Sequence, residues 1–180
     1  CCAAAVGALL GYVHSMPPLE SLHNYNPPEV TKIYDRTGNK LIAQWYPEER
    51  RELISYKDIH EHVVNAFIAI EDERFHQHFG IDLEGWGRVF KLMAQGGRVQ
   101  GASTITMQVA RNIILNDRTR SVTRKFKELL LALQIERQFS KEQIIEFYLN
   151  HIFLGGPAPG AYGIQAASKA YFNKDVKDLT

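Results

Sequence analysis

From Ser55 onward the apolar residues of this chain recur at spacings of three and four, the period of helices that bury one stripe. The first such run is Ile59, Val63, Ala66, Phe67 and Ile70, and a second is Leu83, Trp86, Phe90 and Met93. Helix starts are marked by residues with N-cap chemistry at Ser55, Asp82, Ser103-Thr104, Ser121 and Ser140, the last followed by Gln143 as in a capping box. Breaks fall at Gly80, Gly96-Gly97, Asn116-Asp117 and Gly155-Gly156, which divides the region into five or six helices. Strand signals are confined to Lys32–Asp35 and Lys40–Tyr46, which flank the Gly-containing turn Arg36-Thr-Gly-Asn39 and predict a β-hairpin. Residues 14–30 hold four of the seven prolines without periodicity and read as an extended connector. The pattern therefore predicts a mainly α domain over 51–180, preceded by a connector and small N-terminal β-hairpin over 14–50.

Composition narrows the picture. With 180 residues, 45% hydrophobic and 23% charged, the chain is long enough for one folded core. A net charge of +1 supplies no bulk positive field for nucleic acid, so no nucleic-acid partner is expected and any anion site must be local. The only cysteines, Cys1 and Cys2, exclude a disulfide framework and a cysteine-based zinc site. Cys1–Val13 is uncharged and apolar but shorter than the roughly 20 residues of a membrane span. It reads as the outer half of an uncleaved anchor truncated upstream; a buried N-terminal helix and a signal peptide are the alternatives.

Three constellations could carry chemistry. At about 100° per residue, Glu71 falls about 70° from the centre of the first stripe, and continuing that helix would bury Arg74. The helix is therefore expected to end near Glu71-Asp72, with Phe75, His78 and Gly80 in a turn. A carboxylate there, beside apolar walls, would have a raised pKa suited to general acid–base work; a solvated helix end is the plain reading. Next, Arg118, Arg120, Arg124, Lys125 and Lys127 crowd around Glu128. Five cations so close repel unless they share an anion, which fits phosphate recognition. Val122, Phe126, Leu129, Leu130 and Leu133 make the expected core stripe of that helix, while Glu128, Leu131 and Ile135 share a second side. Glu128 is either the i,i+4 partner of Arg124 or a partly desolvated working carboxylate. Lastly, Gly101–Asn112 places a Ser103-Thr104 cap before a helix whose Gln108, Arg111 and Asn112 form a polar side suited to sugar or phosphate. His76 and His78 lack a third strong ligand, so no metal site is expected among protein side chains.

Taken in order, these segments resemble the peptidoglycan glycosyltransferases of family 51, the transglycosylase domain of class A penicillin-binding proteins and their monofunctional relatives. Glu71-Asp-Glu-Arg-Phe75-His-Gln-His78-Phe-Gly80 is similar to the family's first motif, Gly101–Asn112 to its second and Arg124-Lys-Phe-Lys-Glu128 to its third. Lys141–Asn150 and Gly163–Phe172 are similar to the fourth and fifth. The resemblance implies a lysozyme-like helical fold, a single-pass anchor in the cytoplasmic membrane with the domain outside, and polymerisation of lipid II into β-1,4 glycan strands with release of undecaprenyl pyrophosphate. Cell-wall synthesis machinery would be a further partner. By position, Glu71 would be the base for the acceptor hydroxyl and Glu128 would assist near the pyrophosphate. Arg120, Arg124 and Lys125 would bind phosphates, Gln108 and Arg111 would line the donor side, and Asp72, His78, Ser103, Thr104 and Asn112 would contact substrate. Glu146 and Asn150 would hold the helices that shape the cleft. No cofactor is required, although a divalent cation such as Mg2+ at the pyrophosphate is left open.

Two departures stand out: Met107 occupies a position where many relatives carry a second Gln, and Gly155–Gly160 is about three residues longer than usual. Two other functions remain in play. A lysozyme-like hydrolase would also use two carboxylates, but it needs no phosphate cluster. A catalytically silent cell-wall scaffold would not require Glu71 and Glu128 together.

Overall fold

The computed structural model describes residues 31–45, 50–96, 101, 103–117, 119, 121–156 and 160–179, together with Leu19 and Leu22. The expected anchor at Cys1–Val13, most of the 14–30 connector and Arg120 lie outside these residues. Among the described residues no helix is long and apolar enough to cross a membrane.

The fold is mainly α with two small sheets. Strands β1 (Thr31–Tyr34) and β2 (Leu41–Trp45) pair antiparallel, as the hairpin signal predicts. Their turn is held by Asp35, whose Oδ1 accepts from the backbone N–H groups of Asn39 (3.0 Å) and Lys40 (3.1 Å). A second pairing has no signal in the sequence: β3 (Arg50–Arg51) runs parallel to β4 (Ala161–Tyr162). It places Arg51 in the interior, where Nη1 donates to His151 Nδ1 at 2.7 Å and the guanidinium lies 5.4 Å from the centre of the Tyr162 ring.

Helices α1 (Glu61–Glu71), α2 (Leu83–Ala94), α3 (Ile105–Val109), α4 (Val122–Gln138), α5 (Lys141–His151) and α6 (Ile164–Phe172) make up the rest. The short α3 packs against both α4 and α5. Around it Phe75, Ile105, Val109, Leu131, Ile135, Ile144 and Leu149 form the core. Side-chain caps at Thr104, Ser121 and Ser140 start α3, α4 and α5, and Ser140 with Gln143 completes a capping box. After Val109 the backbone widens into a π-helical stretch, Ala110–Leu115, which ends at Asn116 in the left-handed conformation (φ 43°).

Three sequence expectations are corrected. Ser55 opens only a single 3-10 turn, Tyr56–Asp58, and α1 begins at Glu61. Its buried positions are Val64 and Ile68; Ala66 is exposed and Ile70 is 82% exposed. The core reaches α1 through α5, so the contact face is set by where Tyr148 and Phe67 meet. On α4 the predicted stripe is turned outward at its start, with Val122 88% and Phe126 43% exposed. The second side, Glu128, Leu131 and Ile135, is the one fully buried, because α4 presents it to α3 and α5.

Candidate active site

The first motif is shaped by the abrupt end of α1. Asp72 leaves helical geometry (φ −160°) while its N–H still reaches the Ile68 carbonyl at 2.9 Å, so Glu71 is the last helical residue, as expected. The buried Asp72 carboxylate accepts from the Ile105 backbone N–H at 2.9 Å and from His78 Nε2 at 2.9 Å. Nδ1 of His78 in turn accepts from the Gly80 N–H at 3.1 Å, which fixes the ring proton on Nε2. Thr104 Oγ1 donates to the Gly80 carbonyl at 2.7 Å and accepts from the Met107 N–H at 3.2 Å. Gly80 has φ +95°, and a Cβ there would lie 2.8 Å from the Ala132 carbonyl oxygen, so only glycine fits this close approach. Asp72, His78 and Thr104, expected to contact substrate, are thus placed with their hydrogen-bonding groups directed at the protein.

Two further residues lock this turn from outside the motif. Lys141 Nζ donates to the His78 carbonyl (2.7 Å) and to Glu136 (2.8 Å), 4.4 Å from the centre of the buried Phe75 ring. Glu136 also accepts from Thr106 Oγ1 at 2.5 Å. Sequence reading missed both, because their partners are supplied by the fold and neither residue belongs to a local pattern.

Glu71 itself is exposed, and Gln108 Nε2 donates to it at 2.9 Å. The apolar walls expected around this carboxylate are absent, since Ile70 points to solvent. Beside it opens a cleft of about 280 Å³ whose lining includes Glu71, Arg74, Asp82, Arg88, Ser103 and Thr104. On its far side Arg74 pairs with Asp82 and Glu84. Burial acts to raise the Asp82 pKa, yet the Gly85 N–H and Arg74 together hold it below the ordinary value of 3.8.

The third motif is organised differently. Glu128 is completely buried, with Arg124 Nη1 and Lys125 Nζ each 3.1 Å from its carboxylate oxygens. Lys125 also donates to Ser103 Oγ at 2.5 Å, which joins the second and third motifs. Arg111 Nε donates to Asn112 Oδ1 at 3.1 Å within the π-helical stretch. Farther back, Asn150 brackets Ile54 through its N–H (2.9 Å) and carbonyl (2.8 Å), and Glu146 accepts from the Tyr56 N–H at 2.6 Å. Those bonds tie α5 to the segment leading into α1. Arg120 lies outside the described residues. The arrangement offers an open carboxylate that can accept a proton, a cleft next to it, and a pair of cations anchored on a buried acid. Among the described residues no group of three His, Cys, Asp or Glu side chains could hold a metal ion.

Comparison with known proteins adds to this geometry. A family model described as transglycosylase matches residues 38–180. Penicillin-binding protein 1A of Clostridium tetani is 45% identical over 99% of this chain and 22% of its own length. Penicillin-binding protein 1F of Bacillus subtilis is 47% identical over 83% of this chain and 20% of its own. Penicillin-binding protein 1A of Neisseria lactamica is 45% identical over 99% and 22%. The chain spans about a fifth of the length of these curated relatives.

Proposed function

Because the chain belongs to the transglycosylase family, a glycosyltransferase domain matched over residues 38–180, we propose that it polymerises lipid II into peptidoglycan glycan strands. Glu71 takes the proton from the 4-hydroxyl of the acceptor sugar as that oxygen attacks the anomeric carbon of the donor. The bond from that carbon to the pyrophosphate breaks, and undecaprenyl pyrophosphate leaves with the electron pair. Arg124 and Lys125, joined by Arg120 on the evidence of its place in the sequence, stabilise the departing charge. Glu128 positions those two cations from beneath. A divalent cation such as Mg2+ would be carried by the pyrophosphate oxygens beside them. The domain works at the outer face of the cytoplasmic membrane, held there by a single-pass anchor, on a growing glycan strand and alongside cell-wall synthesis machinery.

The observation that carries this reading is the 2.9 Å bond from the Gln108 amide to Glu71. An amide N–H orients one oxygen of an ionised carboxylate and leaves the other open to accept a proton, which is what a base requires. A hydrolase of lysozyme type would need a protonated acid there instead. The test is to supply purified protein with lipid II and follow glycan formation. Strands form with the natural sequence, and Glu71→Gln lowers the rate about 10²–10⁴-fold, the usual cost of losing a positioned base. Near-normal polymerisation by a folded Glu71→Gln protein would overturn the assignment.

A further inference from the structure

Tyr148 on α5 is 2% exposed, and its hydroxyl has no hydrogen-bond partner among the described residues. A buried unpaired hydroxyl costs about 1–3 kcal/mol, which phenylalanine in the same place would avoid. Its position explains what the hydroxyl is for. The Tyr148 ring meets Phe67 edge-on, with centroids 6.2 Å apart. Phe67 precedes Glu71 by four residues, so the two side chains share one face of α1 a single turn apart. On the other side Gln108, which bonds Glu71, precedes Arg111 by three residues. The phenol is therefore enclosed behind the gap between Glu71 and Arg111. Burial, and then the Glu71 charge, push its pKa up, while Arg111 acts in the opposite direction.

An arginine only donates hydrogen bonds and a carboxylate only accepts them, so a group that joins the two in sequence must do both. A hydroxyl does. We infer that Tyr148 is a positioning residue whose hydroxyl accepts an N–H from Arg111 and donates to the Glu71 carboxylate during turnover. It holds the base at a fixed angle when Gln108 releases it, and it links that base to the polar side of the second motif. The inference rests on the reading of Glu71 as the base.

Tyr148→Phe removes the hydroxyl and keeps the ring. The expected result is a fall in kcat for lipid II polymerisation of about 10- to 100-fold, the range for a hydrogen bond to a charged group. KM stays within about twofold, since Tyr148 touches no substrate, and the melting temperature is not lowered. A folded Tyr148→Phe protein with unchanged kcat would overturn the inference. A second measurement needs neither lipid II nor that variant: the ζ-13C resonance of Tyr148 in tyrosine-labelled protein. It is expected to shift in both Glu71→Ala and Arg111→Ala, and a resonance unmoved in both overturns the inference even if Tyr148→Phe fails to fold. If the natural protein makes no glycan, the functional reading fails and this resonance alone decides the role of Tyr148.

Discussion

Glu71 and Glu128 are the two carboxylates any sequence reading would select, and the fold treats them in opposite ways. Glu71 ends a helix, is exposed, and is bonded by one neutral amide. Glu128 lies mid-helix, is fully buried, and is clamped between Arg124 and Lys125. An open carboxylate can exchange a proton with an incoming hydroxyl at little cost to the fold. A buried one between two cations is bound into the structure, and its charge sets the spacing of those cations. The difference separates a group that reacts from one that positions.

That contrast is broken or sharpened first by paired amides. Glu71→Gln should lose about 10²–10⁴-fold in polymerisation rate with no fall in melting temperature. Glu128→Gln should lose both, because two cations are left without their counter-charge. Breaking a buried pair costs about 3–5 kcal/mol, and the lower end applies here because Lys125 still reaches solvent. For a chain of this size that is a drop of about 6–12 °C. Calorimetry and a glycan assay on both variants decide the matter; equal thermal losses would erase the distinction.

Lys125→Ala should have a smaller effect, confined to binding. It deletes a cation and the 2.5 Å bond to Ser103, but Arg124 still pairs with Glu128. Affinity for the lipid pyrophosphate donor, or for a phosphoglycolipid inhibitor, is expected to fall about tenfold by titration calorimetry. Unchanged binding would make the basic cluster purely structural.

The smallest effect lies at the far end of the molecule, where Glu52 is paired with Lys169 (2.5 Å) and Lys32 (3.2 Å). Burial acts to raise its pKa, but the two lysines prevail and hold it below the ordinary 4.5. A carboxylate depressed in the folded state contributes stability above its unfolded value and loses it as pH falls. Glu52→Gln should therefore melt lower than the natural protein at pH 7, and the gap should close as pH drops below about 4.5. A gap that widened on acidification would contradict the pairing.

What could be read in the sequence was local. Ser121, Ser140 and Thr104 announce their helices because a cap acts within one turn, and the Asp35 turn announces its hairpin for the same reason. The end of α1 at Glu71 could be read because Arg74 would otherwise enter an apolar stripe. What could not be read depends on contacts made across the chain. Periodicity alone leaves the two sides of α4 almost equally apolar, and only the packing of α3 and α5 selects the side with Glu128. Arg51 looks like a surface residue until β4, more than 100 positions later, encloses it. The same holds for Lys141 and Glu136, whose partners come from three other segments. Within the site, the motif residues could be listed from the sequence. Which of them brace the protein, as Asp72, His78 and Thr104 do, could not.

The widened backbone at Ala110–Leu115 also bears on how this chain tolerates editing. A π turn accommodates one residue more than an α turn over the same rise, so it has the form of a single-residue insertion absorbed without breaking the helix. Removing one residue there would restore regular α geometry and rotate everything beyond it by about 100° relative to Gln108. Arg111 and Asn112 would then face a different wall, although no residue of the first or third motif had changed. Length at this point of the chain is thus as exacting a requirement as residue identity.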